Sequence, residues 1–182
     1  TAGGRRFRVA GLHLKSKGIF TALEWSKWWR QADANRRRLL AQCRRFRDIF
    51  LEPYLSDPAT RDLPLVVCGD INDGPGFDTS EAKLDASGIE TLMGDVWRPD
   101  LALGNALFDS LSEKDRAERD FRDLATTRFK DPIFDGAYHN VWIDHILYTR
   151  NIASGWLSDA GVHRNLPDGR AIWRAFPAAS DH

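Results

Sequence analysis

Apolar positions recur at two different periods along this chain, and each change of period marks an element. Phe7-Arg8-Val9-Ala10-Gly11-Leu12-His13-Leu14 has β character, which predicts a strand ending near His13. Thr21-Ala22-Leu23-Glu24 has the form of a capping box and predicts a helix start. From Ala34 to Leu55 the spacing is helical: Leu39, Cys43, Phe46 and Phe50 share one face, and Arg37 and Arg44 fall opposite. Asp62-Leu63-Pro64 ends that connection. Leu65-Val66-Val67-Cys68 then reads as a short strand, apolar and buried on both faces. Gly69 and the segment Asp70 to Gly76 form the loop at its C-terminal edge, where open α/β sheets bind ligands.

Residues 78–125 read as helix and loop, with Asp109 to Asp123 a mixed-charge helical stretch and solvated face. Val141-Trp142-Ile143-Asp144-His145-Ile146-Leu147-Tyr148 is the second clear strand, with Asp144 inside it. Beyond Gly155 the pattern is loop-rich, with a short strand expected near Ala160 to His163. Neither a repeat nor a low-complexity tract nor a linker interrupts the 182 residues, so one α/β domain is expected.

Composition narrows the function. Hydrophobic residues at 42% and aromatics at 11% suffice for a packed core and argue against disorder. The formal net charge is +0, so a polyanion would have to be held by a local patch. No run approaches the roughly 18 apolar residues of a membrane span. The opening Thr1-Ala2-Gly3-Gly4-Arg5-Arg6 is not a signal peptide; secreted and cytoplasmic locations both stay open. Cys43 and Cys68 lack metal-type spacing, and a single disulfide is neither required nor excluded. The chain has no G-x-S-x-G elbow, P-loop or C-x-x-C, which removes the scaffold for a serine hydrolase or a nucleotide-binding protein.

The remaining chemistry is that of phosphate esters. Their hydrolysis needs a cation to screen the phosphate, a group to position the attacking water, and a donor for the developing charge. Asp70 and Asn72, at i and i+2 of an extended segment, are expected to point the same way. Asp70 can take the water's proton, and Asn72 can hold the water or a metal oxygen without adding charge. Asp181 is a candidate metal ligand, with His182 donating to phosphate. Asp144 is a candidate to orient His182 and raise its pKa. A zinc site from His13, His182 and aspartates is the competing arrangement, but without thiolates an oxygen-rich site suits Mg²⁺ better.

Four blocks stand in order: His13-Leu14-Lys15-Ser16, Gly69-Asp70-Ile71-Asn72-Asp73, Trp142-Ile143-Asp144-His145-Ile146-Leu147 and Ser180-Asp181-His182. Together they resemble the endonuclease/exonuclease/phosphatase superfamily, which includes deoxyribonucleases, abasic-site endonucleases, sphingomyelinases and inositol-polyphosphate phosphatases. The resemblance implies part of a two-sheet α/β sandwich of the deoxyribonuclease I type, with Mg²⁺ or Mn²⁺ at the strand edges. It implies Asp70 as the water-orienting acid and Asn72 as its partner. Asp144 would support His182, Asp181 and Asp70 would lie on the metal side, and His13, Asn72 and Lys15 would face the phosphate. It also implies an N-terminal half, supplying an Asn and the principal Glu ligand, and a further strand after His182. Residues 1–182 are therefore expected to be a partial domain. By itself the chain should bind metal weakly, turn over little, and self-associate through apolar surface that includes Trp25, Trp28 and Trp29.

The leading expectation is a nuclease, because His13-Leu14-Lys15-Ser16-Lys17-Gly18 is similar to bacterial secreted nucleases of that superfamily. The alternatives are a phosphomonoesterase or lipid phosphodiesterase of the same superfamily, and a non-catalytic fragment or binding module. Asp73 is expected only to shape its turn. His139, His145 and His163 read as ordinary surface or core histidines, Lys15 and Lys17 as exposed lysines that could meet phosphate, and the arginines of 36–47 as a solvated helix face.

Overall fold

The computed structural model describes residues 4–19, 25–74, 79–118, 124–130, 136–152 and 160–175. It is a mixed α/β fold whose centre is a four-stranded sheet in the order β1-β2-β6-β3, with a separate two-stranded sheet of β4 and β5. Strand β1 (Arg8–His13) is joined to β2 (Leu65–Asp70) through helix α1 (Trp25–Phe46), a wider π-helical turn at Arg47–Leu51, and α2 (Glu52–Ser56). Because β1 and β2 run parallel, the chain must return to its starting edge between them, and this helical crossover makes that return. Helices α3 (Thr79–Leu84) and α4 (Gly88–Met93) follow, then a 3₁₀ turn at Pro99–Leu101. After strand β3 (Leu103–Asn105) come α5 (Ala106–Asp109), α6 (Glu113–Glu118), β4 (Thr127–Lys130), β5 (Tyr138–Val141), β6 (Asp144–Thr149) and α7 (Ile172–Ala175). Strand β6 lies antiparallel between β2 and β3.

One face of the sheet carries the core. Leu39, Cys43, Leu51 and Tyr54 from the crossover pack with Leu65, Val67, Leu103 and Leu147 from the strands, and with Ile89 and Leu92 of α4. The helical spacing that puts Leu39 and Cys43 on one face thus buries them, while Arg37 and Arg44 stay exposed. Arg47 is also buried; it donates to the carbonyls of Leu92 (3.0 Å) and Leu101 (2.7 Å) and ties the crossover to α4. The other sheet face is more open: Val9 is 58% and Ile146 41% exposed.

Several expectations need correction. Strand β2 is not buried on both faces, because no described layer closes over Val66 and Cys68, which are only half-buried. Asp144 begins β6 instead of lying inside a longer strand. At Trp142-Ile143 the chain passes from the small sheet to the large one, and the Thr126 hydroxyl accepts from the backbone N–H of Ile143 (3.2 Å) and Asp144 (3.1 Å) at that step. Strands β3, β4 and β5 were not anticipated. Residues 160–164 form no strand; beyond them an isolated bridge pairs Asn165 with Ala171. The mixed-charge stretch is helical only over α6 among the described residues. The expected capping box at Thr21 lies outside the described residues, as does the Ser180-Asp181-His182 block. Among the described residues, no helix is long and apolar enough to cross a membrane.

Candidate active site at the strand edge

Strand register brings three of the singled-out residues into one row. His13 at the end of β1 stands opposite Asp70 at the end of β2, and Asp70 stands opposite Asp144 at the start of β6. Directly opposed residues point to the same face. His13 Nε2 lies 3.6 Å from Asp70 Oδ2, with the imidazole exposed and the carboxylate mostly covered. Gly69 lets the two strands meet here. Its φ of +129° favours glycine, and a Cβ at this position would run into the Leu12 carbonyl oxygen.

Asn72 behaves differently from the extended-segment expectation. The strand ends at Asp70, and Asn72 takes a left-handed φ of +57°, so the two side chains are not stacked along a strand. Instead the Asn72 backbone N–H donates to Asp70 Oδ1 (2.8 Å), and its Nδ2 donates to the Leu14 carbonyl (3.0 Å). This turn fixes one Asp70 oxygen and clamps the loop after β1 to the loop after β2. Lys15 lies on the clamped loop, where its backbone N–H donates to Gln42 Oε1 at 2.8 Å. Asp181 and His182 lie outside the described residues.

Behind this edge is a polar cluster that the sequence reading missed. Asp73 is fully buried and is a hub instead of a simple turn residue. Lys17 Nζ donates to Asp73 Oδ1 (2.7 Å) and Glu81 Oε1 (2.9 Å), so Lys17 is a half-buried partner and not the exposed lysine expected. The Ser87 hydroxyl and the Ile89 N–H both donate to Asp73 Oδ2, each at 2.9 Å. Burial opposes the Lys17 charge, but Asp73 and Glu81 outweigh it and raise its pKa. Burial and hydrogen bonding with Asp73 push Glu81 up to about 7. Asp73 resists its own burial because Glu81 and Lys17 hold it below the usual carboxylate range. The only signal for this cluster in the sequence was that charged residues sit close to the His13 and Asp70 blocks.

His145 packs under the same loop as a core histidine. Asn105 Oδ1 accepts from the Phe108 N–H, which orients its amide so that Nδ2 donates to His145 Nδ1 at 3.0 Å. The Nε2–H therefore donates to the Asp73 carbonyl at 2.7 Å, and the ring is neutral. Burial pushes the His145 pKa down to about 4. Its stabilising contribution is full above the unfolded value of 6.5 and is lost as pH falls through about 4. Glu81 has the opposite sign: its contribution is full below 4.5 and is lost as pH rises through about 7. The two offset each other between those limits. Glu81→Gln should remove one of them, leaving stability to rise by about 2 kcal/mol from pH 4.5 to 6.5, roughly 4–8 °C in Tm. Calorimetric scans across that range test this, and a level Tm in the variant would mean that His145 is not held neutral.

A cleft of about 850 Å³ opens at the opposite end of β2 and β6, against Arg61, Trp97, Arg98 and Thr149. It contains no member of the His13–Asp70–Asp144 row. The candidate site is instead the row at the other strand ends.

Comparison of the chain with protein-family models, with curated proteins and with solved structures gives no match in any of the three.

Proposed function

We propose that this chain belongs to a divalent-metal-dependent phosphodiester hydrolase of the endonuclease/exonuclease/phosphatase superfamily, acting on nucleic acid. The finer fold expectation, part of a two-sheet sandwich, belongs to the same proposal. The observation that carries it is the shared register row of His13, Asp70 and Asp144, which are far apart in sequence and adjacent at one strand edge. In this reading Asp70 orients the attacking water and accepts its proton. Asn72 holds the Asp70 carboxylate in place through its backbone N–H, and its side-chain oxygen is assigned to the water or the phosphate. His13, exposed at the edge, and Lys15 meet the phosphate, while Asp144 supports His182 and Asp181 joins Asp70 on the metal side.

Among the described residues, no three His, Cys, Asp or Glu side chains are grouped as a metal cage. Mg²⁺ needs less than that, since one or two carboxylates with phosphate oxygens and water suffice, and the oxygen donors of the row fit it. Mg²⁺ or Mn²⁺ bound there would screen the phosphate and stabilise the leaving oxygen. The test incubates the purified protein with supercoiled plasmid. Nicking is expected with Mg²⁺ or Mn²⁺, to stop with EDTA and to return with added metal. Metal-independent nicking, or turnover of phospholipid with none of DNA, rejects the reading.

A further inference from the structure

The β4–β5 hairpin is a polar ribbon with a patterned face. Arg128 stands opposite Asn140 and Lys130 opposite Tyr138, so all four side chains share one face. Arg128 and Tyr138 are diagonal neighbours on it, and the guanidinium lies 4.0 Å from the ring centroid. Tyr138, His139 and Asn140 are all exposed, as expected of a ribbon that projects from the body. Tyr138 is 57% exposed despite its apolar ring. Packing alone does not explain this face: it buries little and spends an aromatic ring and two cations on solvent.

The root of the ribbon is fixed to the candidate site. Thr126 donates its backbone N–H to the Val141 carbonyl (2.9 Å), and its hydroxyl accepts from Asp144 N–H (3.1 Å). The Trp142 indole donates to the Asp144 carbonyl (2.9 Å), and its ring stacks on His145. The ribbon therefore leaves the body at the strand end that carries Asp144. Arg164 donates to the Ala125 carbonyl (3.2 Å) and adds a further cation at this root.

We propose that this face binds a nucleic-acid strand: Arg128 and Lys130 take successive phosphates, and a base stacks on the Arg128–Tyr138 pair. Charge complementarity supports that occupant. The chain has no net charge with which to attract a polyanion, whereas the four positions of this face carry two cations and no carboxylate. A flat cation–aromatic pair stacks any base. An anionic membrane surface would favour apolar residues flanking the cations; among the described residues of this face, the stacked Tyr138 ring is the one aromatic beside them. The inference deepens the phosphodiesterase reading, and rests on it for the link to turnover, by naming the element that selects nucleic acid.

The experiment measures binding of a fluorescein-labelled single-stranded DNA oligonucleotide by anisotropy in EDTA, with the same protein. Arg128→Ala with Lys130→Ala should weaken binding about tenfold and reduce the slope against log salt by about 2. Tyr138→Ala should weaken it about tenfold, while Tyr138→Phe, which keeps the ring, should match the wild type. Circular dichroism checks that each exposed substitution folds. No DNA binding, wild-type binding by both Ala variants, or stronger capture by phosphatidylserine vesicles or polyglutamate than by DNA would overturn the inference. Because EDTA prevents metal-dependent turnover, the two readings can fail separately. Nicking with unaltered binding by the ribbon variants rejects the ribbon alone, and ribbon-dependent binding without nicking rejects the hydrolase alone.

Discussion

Asp70→Asn is expected to lower plasmid nicking by about 10²–10⁴-fold while the protein folds as before. The two consequences follow from different oxygens of one side chain. Oδ1 accepts the Asn72 N–H and builds the turn, and an amide oxygen can do the same. Oδ2 lies toward His13, and in the proposed mechanism it is the carboxylate that takes a proton from water. Asparagine therefore keeps the shape and loses the base. Initial nicking rates at saturating Mg²⁺, with thermal melts of both proteins, make the measurement. Near-normal turnover by a well-folded variant would leave Asp70 with the turn alone.

Asp73→Ala is expected to cost about 3–5 kcal/mol, roughly 6–20 °C in Tm. The carboxylate is fully buried and serves Lys17, Ser87 and the Ile89 N–H at once. Removing it takes a carboxylate partner from the half-buried Lys17 ammonium and strands two other donors. Against a typical total stability of about 5–15 kcal/mol, the loss threatens folding at physiological temperature. Urea unfolding of the variant, and of Asp73→Ala combined with Lys17→Met, separates the causes. The double variant should recover part of the loss, because the stranded charge is gone. A loss below about 1 kcal/mol in Asp73→Ala would mean that the cluster is effectively hydrated.

What could be read from the sequence depended on whether one element or several fixed a residue's place. Strands β1 and β2 showed in local pattern, because each alternates or runs apolar over several positions, although Gly69 and Asp70 belong to β2 and not to the loop after it as expected. The crossover helix showed in the spacing of Leu39, Cys43 and Phe46. Strand β3 did not, since Leu103–Asn105 is too short to display a period. Strand β5 did not either, because Tyr138, His139 and Asn140 are exposed on both of its faces and leave no apolar alternation to find. The break at Trp142-Ile143 depends on a Thr126 hydroxyl that no local pattern announces. Lys17 and Asp73 are 56 residues apart, and only the parallel pairing of β1 with β2 decides that they meet. Asn72 was misjudged for a local reason: alternation was extended past the end of the strand.

The parallel pairing of β1 and β2 across a long helical crossover also governs how the protein acquires its site. Loop closure over such a distance is entropically expensive, and folds dominated by distant pairings form slowly. The row needs two of these pairings, since β2 must find β1 far behind it and β6 far ahead. Helix α1 can form early from local contacts, but it brings no site residue to another. The His13–Asp70–Asp144 edge is therefore an all-or-none product of contacts between distant parts of the chain, and β2 is the strand on which both halves of it wait.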